Sequence, residues 1–169
     1  KFLNDDIPAD RVARLSVTLG LPDGSGYVRL ASADPAVQPT FNYCYLQHPN
    51  DSRRVREGIR MATKFLESGA YKDVCDYRLH PTDDILADDD ALDLYIRRTV
   101  GTARHVSGTC KMGPDSDPMA VVDQYCNVKG VQGLSVVDAS VKPRITRSGG
   151  SHATVLMIGE RAAEWIAPV

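Results

Sequence analysis

Apolar and polar residues alternate in the first part of the chain, a pattern that is typical of half-buried β-strands. Arg11–Leu21 alternates in this way, and Tyr27–Leu30 resumes the pattern after the turn-forming segment Pro22–Gly26. Two alternating runs around such a turn predict an antiparallel hairpin. Thr40–Leu46 is rich in aromatic residues and either extends this sheet or lines a pocket.

Apolar residues then recur at steps of three and four, the spacing of an amphipathic helix. They are Val55, Ile59, Ala62 and Leu66. The pattern predicts a helix that Asp51 or Asn50 caps and that runs through Ser68. Gly69 is expected to close this helix as its C-terminal cap.

An acidic run, Asp83–Asp90, suggests a calcium loop because its carboxylates cluster. The glycine and the spaced ligands of such a loop are missing from it. We therefore interpret the run as a solvated acidic face that caps a second helix, Ala91–Val100.

The last third of the chain contains further strand candidates. Val121–Asp123 and Asn127–Lys129 are short, whereas Gly133–Ser140 is densely apolar and contains the carboxylate Asp138. The apolar density predicts a strand that is covered on both faces and ends at Asp138.

The final segment is the most apolar helix candidate of the chain. From His152 or Ala153 to Ile166, apolar residues occupy more than one face, which predicts an almost wholly buried helix. A chain of 169 residues can hardly bury such a helix alone. We expect a partner polypeptide or an N-terminal region to cover it.

Composition and charge narrow the range of partners. With 43% hydrophobic residues the chain can form a core, and its net charge of -2 without a long basic run argues against nucleic acid or an anionic membrane surface as a partner. No apolar run reaches the ~18 residues of a membrane-spanning helix, and the N-terminus lacks a signal-peptide pattern. Because the chain begins at Lys1 with a strand-like segment close behind, we expect a fragment of a longer protein.

The four cysteines are widely spaced and form no Cys-x-x-Cys pair. They are Cys44, Cys75, Cys110 and Cys126. This spacing argues against a zinc site and predicts no metal ligands. Four free thiols indicate a reducing compartment, so we expect a cytoplasmic protein.

Two histidines lie in glycine-rich loops on either side of Gly133–Ser140. His105 lies in Thr-Ala-Arg-His-Val-Ser-Gly-Thr-Cys-Lys-Met-Gly, and His152 lies in Ser-Gly-Gly-Ser-His-Ala-Thr. Two imidazoles that bracket a strand and a helix N-terminus suggest a site that binds an anion and moves protons. His48 and His80 each precede a proline and are interpreted as exposed loop residues.

Longer motifs carry a family resemblance. His105-Val-Ser-Gly-Thr-Cys-Lys-Met-Gly, Val121-Val-Asp, Gly130–Pro143 and Met157–Ala163 resemble the C-terminal part of the glucose-methanol-choline (GMC) flavoprotein oxidoreductases. Upstream, Gly26–Pro35, Gln38–Pro39 and Asp51–Gly58 are similar to the same family. The resemblance covers nearly the whole chain, and its motifs are specific in combination.

The resemblance implies an α+β fold in two parts. Residues 1–101 are expected to form a substrate-binding region, an antiparallel sheet with helices packed on it. Residues 102–169 are expected to carry the active-site histidine loops and a strand–helix return that completes an FAD-binding α/β domain. The sequence lacks the Gly-x-Gly-x-x-Gly fingerprint with which the family seats FAD. The remaining N-terminal FAD-binding polypeptide of the same enzyme is therefore an expected partner.

The resemblance also implies an activity, the oxidation of a small-molecule alcohol to a carbonyl with FAD as the cofactor. In the family, the histidine of His-x-x-Gly-Thr-Cys faces the flavin and acts as the general base, and His105 holds that position. A second residue, His or Asn, opens the last helix and hydrogen-bonds the same substrate oxygen. His152 holds that second position.

Elementary chemistry supports these assignments. A neutral imidazole, with an ordinary pKa of about 6.5, suits the removal of a hydroxyl proton as hydride leaves the carbon. The N–H groups of Ala153 and Thr154 would stabilise negative charge on a reduced flavin, with Ser151 as the N-cap. Asp138 is expected to accept hydrogen bonds from the ribityl chain or from nearby amides, and Ala139 to leave room for the backbone. The alternative for Asp138 is a turn former.

Other functions remain open at this point. The same scaffold supports flavin-dependent lyase and light-driven decarboxylase chemistry in relatives of the family. The histidine pair argues against the decarboxylase, since a carboxylate substrate has no hydroxyl proton to remove. A non-catalytic detached domain is the third interpretation.

Overall fold

The computed structural model describes residues 12–147 and 151–166. The elements, in chain order, are β1 (Tyr27–Arg29), β2 (Thr40–Asn42), α1 (Pro49–Leu66), α2 (Asp83–Ala87), α3 (Asp89–Thr99), a 3₁₀ turn (Ala139–Val141) and α4 (His152–Ile166). An antiparallel sheet together with helices confirms the α+β character of the prediction. The details of an FAD-binding domain are not tested by these elements.

The chain divides into two compact units. Of the described residues, 12–19 and 46–101 form the first unit, which holds α1 to α3. The second unit consists of 20–45 with 102–147 and 151–166, so it is built from two separate stretches of chain. Arg144 reaches Asp23 across it at 3.4 Å. A Cβ atom on Gly20 would lie 2.3 Å from the carbonyl oxygen of Arg147, so only glycine fits there.

The two strands of the second unit pair with each other. β1 runs antiparallel to β2, with Val28 opposite Phe41. The predicted hairpin between residues 11–21 and 27–30 is therefore wrong; Arg11 lies outside the described residues, and 12–21 contain no strand. Leu21, at the end of the expected strand, has a left-handed backbone conformation (φ 48°), which is incompatible with a β-strand at this residue. The prediction that the aromatic segment extends the sheet is confirmed for Thr40–Asn42.

Helix α1 matches the predicted helix, with different caps. His48 occupies the N-cap position and Pro49 the first turn, where a proline costs no hydrogen bond. The helix ends at Leu66, and Glu67 is its C-cap in a right-handed conformation. The predicted cap at Gly69 is wrong, because the C-cap lies two residues before this glycine.

The acidic run caps a helix, as predicted. The Asp88 side chain accepts a hydrogen bond from the Ala91 N–H at 2.7 Å and so starts α3. The residues before it form the short helix α2. Arg56 on α1 donates two hydrogen bonds to Asp93 at 2.8 and 2.9 Å, which ties α1 to α3. On α3, Leu92 and Ile96 are buried.

The core of the second unit is made by an irregular backbone. Val122, Cys126 and Val141 are buried at its centre. The predicted strand over 134–138 is wrong, since only Ser135 forms a bridge, with Asn127, and the chain then enters the 3₁₀ turn. The Val136 N–H still donates to the Cys126 carbonyl at 3.0 Å. The apolar run therefore packs on the core without the regular pairing of a strand.

Helix α4 leaves much of its apolar surface open in this chain. Ile158 and Trp165 pack on the core cluster and Ala162 is buried, whereas Leu156 and Met157 are 56% and 62% exposed. The helix itself is confirmed, whereas its nearly complete burial, which is expected to need a partner polypeptide or an N-terminal region, stays a prediction. Across residues 12–147 and 151–166, no helix combines the length and the apolar character that crossing a membrane requires.

One loop of the second unit predicts a dependence of stability on acid. Lys111 donates a hydrogen bond to Asp117 at 2.6 Å and, with the Met119 N–H, holds the pKa of that carboxyl below its ordinary value. A lowered pKa stabilises the fold above the ordinary value of about 3.9, and this contribution is lost as the pH falls through the lowered pKa. Asp117→Asn should therefore flatten the acid limb of a plot of thermal unfolding midpoint against pH, from about pH 7 to about pH 3.

The control for this experiment is Asp73→Asn, which removes an exposed carboxylate of the first unit. It should leave the slope of the acid limb at the wild-type value. An equal slope in wild-type protein and Asp117→Asn would contradict the role given to this carboxylate.

Candidate active site

The His105 loop is held by local hydrogen bonds rather than by regular structure. The Arg104 N–H donates to the Thr102 hydroxyl at 2.9 Å, and the Ser107 hydroxyl donates to the His105 carbonyl at 3.2 Å. Arg104 adopts a left-handed conformation (φ 62°), which is uncommon for a residue other than glycine and turns the chain just before His105. These bonds fix the main chain on either side of the imidazole.

The same loop is fastened to the 3₁₀ turn. The N–H groups of Gly108, Cys110 and Met112 donate to the carbonyls of Ala139, Ser140 and Val141, at 3.3, 3.0 and 2.8 Å respectively. Gly108 has a φ of 84°, and a Cβ atom on it would lie 3.2 Å from the Lys142 carbonyl oxygen. A glycine is needed here for both reasons. The structure thus places the predicted residue Ala139 next to the His105 loop.

His105 also contacts the start of α4. Its Nδ1 atom lies 3.0 Å from the Ser151 hydroxyl oxygen, and both side chains are half-buried. The Ser151 carbonyl accepts hydrogen bonds from the Val155 N–H at 2.9 Å and from the Thr154 hydroxyl at 2.8 Å. Ser151 therefore stands where the N-cap was expected, and its hydroxyl faces the imidazole.

The other predicted residues at this helix start are close to solvent. His152 and Ala153 are exposed, and Thr154 is half-buried. Their position in the first turn of a 15-residue helix leaves backbone N–H groups without intrahelical partners at this end. The helix dipole adds partial positive charge there, so this end of α4 favours an anionic group.

Asp138 is engaged with its own turn. One carboxylate oxygen accepts hydrogen bonds from the Ser140 N–H at 2.7 Å and from the Ser140 hydroxyl. This contact caps the 3₁₀ turn and corresponds to the turn-forming alternative. The side chain is exposed, and its role toward a cofactor stays a prediction.

Two hydrogen-bonded contacts therefore join three segments that are far apart in sequence. The His105 loop bonds to the 3₁₀ turn that follows Asp138, and His105 itself bonds to the residue before His152. Sequence reasoning missed the contact between His105 and Ser151. Its only sequence signal was a serine at a helix N-cap, and such a serine usually caps its own helix.

Family comparisons agree with this arrangement of motifs. The family model described as GMC oxidoreductase matches residues 22–159, which include all three segments. The chain belongs to the GMC oxidoreductase family.

Several curated relatives resemble the chain over most of its length. An uncharacterized GMC-type oxidoreductase of Rhodococcus erythropolis is 40% identical over 149 residues, 88% of this chain and 28% of the relative. An oxygen-dependent choline dehydrogenase of Photobacterium profundum is 37% identical over 145 residues, 86% of this chain and 25% of that protein. The chain thus spans about a quarter of the length of the curated relatives it matches.

Solved structures show the same similarity in three dimensions. Pyridoxine 4-oxidase from Mesorbium loti superposes with a TM-score of 0.80 at 30% identity, covering 87% of this chain and 28% of the oxidase. Formate oxidase from Aspergillus oryzae, whose structure concerns FAD modification, gives a TM-score of 0.74 at 30% identity over 85% of this chain and 24% of the oxidase. A further neighbour is an FAD-dependent oxidoreductase from Chaetomium thermophilum, at 26% identity and a TM-score of 0.73, which covers 83% of this chain and 24% of that protein.

The residues at the start of α4 suit part of a flavin. The exposed first turn, at His152 and Ala153, presents N–H donors and the positive end of the helix dipole. The flavin edge that becomes negative on reduction requires donors of this kind. The N-terminal end of α4 therefore fits the electron-rich edge of FAD.

Proposed function

We propose that this chain forms part of an FAD-dependent oxidoreductase that oxidises an alcohol to a carbonyl. The observation that carries the proposal is the contact between His105 and Ser151, which places an oriented imidazole at the exposed N-terminus of α4. Membership of the GMC family supports the proposal, as does the FAD named for its structural neighbours. Alcohol oxidation by a flavin requires a proton acceptor next to a site that binds the negatively charged edge of the reduced flavin.

His105 is the proposed proton acceptor. Its Nδ1 atom is occupied by the Ser151 hydroxyl, so Nε2 is the ring nitrogen that remains for the substrate. The imidazole side chain is the one whose ordinary pKa, about 6.5, suits the removal of a hydroxyl proton in the transition state near neutral pH. Removal of that proton leaves the carbonyl oxygen of the product.

His152 is proposed to position the substrate oxygen. It follows Ser151 directly and is exposed at the start of α4, where a ring nitrogen can donate a hydrogen bond to a bound hydroxyl. The two imidazoles would thus have different roles at the substrate oxygen, since one accepts its proton and the other holds the oxygen in place. The substrate is accordingly an alcohol small enough to bring its hydroxyl between them.

Four further residues are proposed to hold the cofactor. When bound, FAD takes up the hydride that leaves the alcohol carbon. The N–H groups of Ala153 and Thr154 would donate to its electron-rich edge, and Asp138 would accept hydrogen bonds with the oxygen that does not bond to Ser140. Ala139, which bonds to the His105 loop, would let the main chain approach the cofactor closely.

The partner of the chain is proposed to be the rest of the same enzyme. The exposed apolar face of α4, with Leu156 and Met157, needs a cover, and the curated relatives are about three times as long as this chain. We propose that the N-terminal FAD-binding part of the enzyme supplies it. In this arrangement, residues 1–101 serve substrate binding and 102–169 complete the cofactor domain. The four cysteines are free, which supports a reducing compartment such as the cytoplasm.

A direct test is the anaerobic addition of alcohols to the purified full-length protein. Choline and pyridoxine belong in the panel because two relatives are named for them. We expect at least one alcohol to bleach the visible absorbance of the flavin, whereas its O-methyl ether should not, because the ether has no hydroxyl proton to give. The proposal would be contradicted if dithionite reduced the flavin but no alcohol of a broad panel did.

A further inference from the structure

The contact between His105 and Ser151 carries one further inference. We infer that Ser151 is a positioning residue, whose hydroxyl oxygen accepts a hydrogen bond from the Nδ1–H of His105 and so keeps Nε2 free to take the substrate proton. This inference rests on the proposed function, because it concerns how the proposed base is oriented. It assigns to Ser151 a role in the reaction that is separate from its role as a helix cap.

The position of the hydroxyl is fixed by α4. The Ser151 carbonyl accepts the Val155 N–H at 2.9 Å and the Thr154 hydroxyl at 2.8 Å, so the main chain of this residue is locked into the first turn. Rotation about the Cα–Cβ bond is then the main freedom left to the side chain. Because the hydroxyl has little freedom, its hydrogen bond to Nδ1 restrains the orientation of the half-buried His105 ring.

The proposed function sets the direction of this hydrogen bond. A base that takes the substrate proton at Nε2 must carry its own ring proton on Nδ1, so the Ser151 hydroxyl oxygen is the acceptor. A neutral imidazole carries one proton on either nitrogen. If Ser151 accepts, the ring proton lies on Nδ1 and Nε2 keeps its lone pair. If Ser151 donated instead, Nε2 would carry the proton and His105 could not act as a base from that atom.

The same bond persists when the proton arrives. An imidazolium donates from both nitrogens, so the Nδ1–H to Ser151 hydrogen bond needs no rearrangement after Nε2 is protonated. The hydroxyl also faces a ring that becomes positive, and hydrogen bonds to a charged donor are stronger than neutral ones. Ser151 thus favours both the correct tautomer before the transfer and the charged ring after it.

The test uses the full-length holoenzyme and stopped-flow measurement of flavin reduction by an active alcohol. Ser151→Ala should lower the reduction rate by up to about 100-fold, because a base that is no longer held in its productive orientation transfers the proton less often. Ser151→Thr keeps a hydroxyl and should restore most of the rate. Ser151→Gly also removes the hydroxyl, but glycine is a better helix N-cap than alanine. It should show the same loss of rate as Ser151→Ala, and it replaces that variant in the test if the alanine variant folds poorly.

A double variant separates a positioning role from a structural one. If Ser151 acts only through His105, then His105→Ala/Ser151→Ala should reduce no more slowly than His105→Ala alone. Ser135→Ala is the matched control, because it removes a half-buried hydroxyl of the same unit that bonds to Asn127 and has no part in holding the His105 loop. It should stay near the wild-type rate.

A second readout does not depend on activity. Nitrogen NMR of the full-length protein labelled in its histidine rings should show the Nδ1–H tautomer for the signal that disappears in His105→Ala. An Nε2–H tautomer in the wild type, or additive losses in the double variant, would overturn the inference. If His105→Ala itself reduced at the wild-type rate, the assignment of His105 as the base in the proposed function would fail. A slow His105→Ala beside a fully active Ser151→Ala would refute only the role of Ser151.

Discussion

In the full-length enzyme, His105→Ala should slow the reduction of the flavin by an alcohol by about 10²–10⁴-fold, the usual contribution of a general base. The effect should fall on the chemical step, because in the proposed mechanism the imidazole takes the proton as the carbon–hydrogen bond breaks. The FAD content should stay at the wild-type level, since the cofactor contacts are assigned to the start of α4 and to Asp138. Stopped-flow reduction and the flavin-to-protein absorbance ratio measure the two quantities separately.

His48→Asn is the matched control for the loss of a histidine. His48 is exposed and occupies the N-cap position of α1, where asparagine is well tolerated. This variant should reduce at the wild-type rate. If His105→Ala also kept the wild-type rate, His105 would not be the base.

The two histidines can be distinguished by the same measurement. His152→Asn should be mild, because an amide still hydrogen-bonds the substrate oxygen, whereas His152→Ala removes the contact and should cost more. If His152→Asn were inactive while His105→Ala remained fast, the two roles would have to be exchanged.

Leu92→Ala should lower the free energy of unfolding of the first unit by about 2–5 kcal/mol, the range found when a buried leucine is cut back to alanine. Leu92 is 0% exposed on α3, so the deletion leaves a cavity as well as losing apolar contact. Such a loss is a large fraction of the stability of a typical domain. Denaturant-induced unfolding followed by far-ultraviolet circular dichroism measures it, since the first unit holds three helices among the described residues.

Leu94→Ala is the natural control because it makes the same chemical change two residues further along the same helix. Leu94 is 49% exposed, so its loss should change the free energy of unfolding by no more than about 0.5 kcal/mol. Equal losses at the two positions would show that burial in this structure does not describe the core.

Helices were the most predictable part of the fold. Helix α1 was predicted because its apolar residues recur at helical spacing over 18 residues, which no strand can reproduce. The strand partners were not predictable, because alternation in Tyr27–Leu30 fits an upstream or a downstream neighbour equally well. The apolar run over 134–138 was misread as a strand, since a short apolar run has no period that distinguishes it from irregular core backbone.

The candidate site shows the same limit. Motifs in the sequence pointed to His105 and to the start of α4, because unusual residues there have a chemical reason to occur together. The contact of the Ser151 hydroxyl with the imidazole could not be predicted, because 46 positions separate Ser151 from His105 and no local sequence pattern indicates such a contact. The roles of the predicted residues await the variants described above.

The construction of the second unit from two stretches of chain has a consequence for synthesis on the ribosome. Strands β1 and β2 leave the ribosome before α1 to α3, but their unit is completed only when Arg144 and Arg147 have been made and meet Asp23 and Gly20. Helices α1 to α3 need no residue beyond Gly101, so they can pack while the later part is still being translated. The first unit can therefore fold before β1 and β2 gain their contacts with the later part of the chain, and the contacts around His105 form after it.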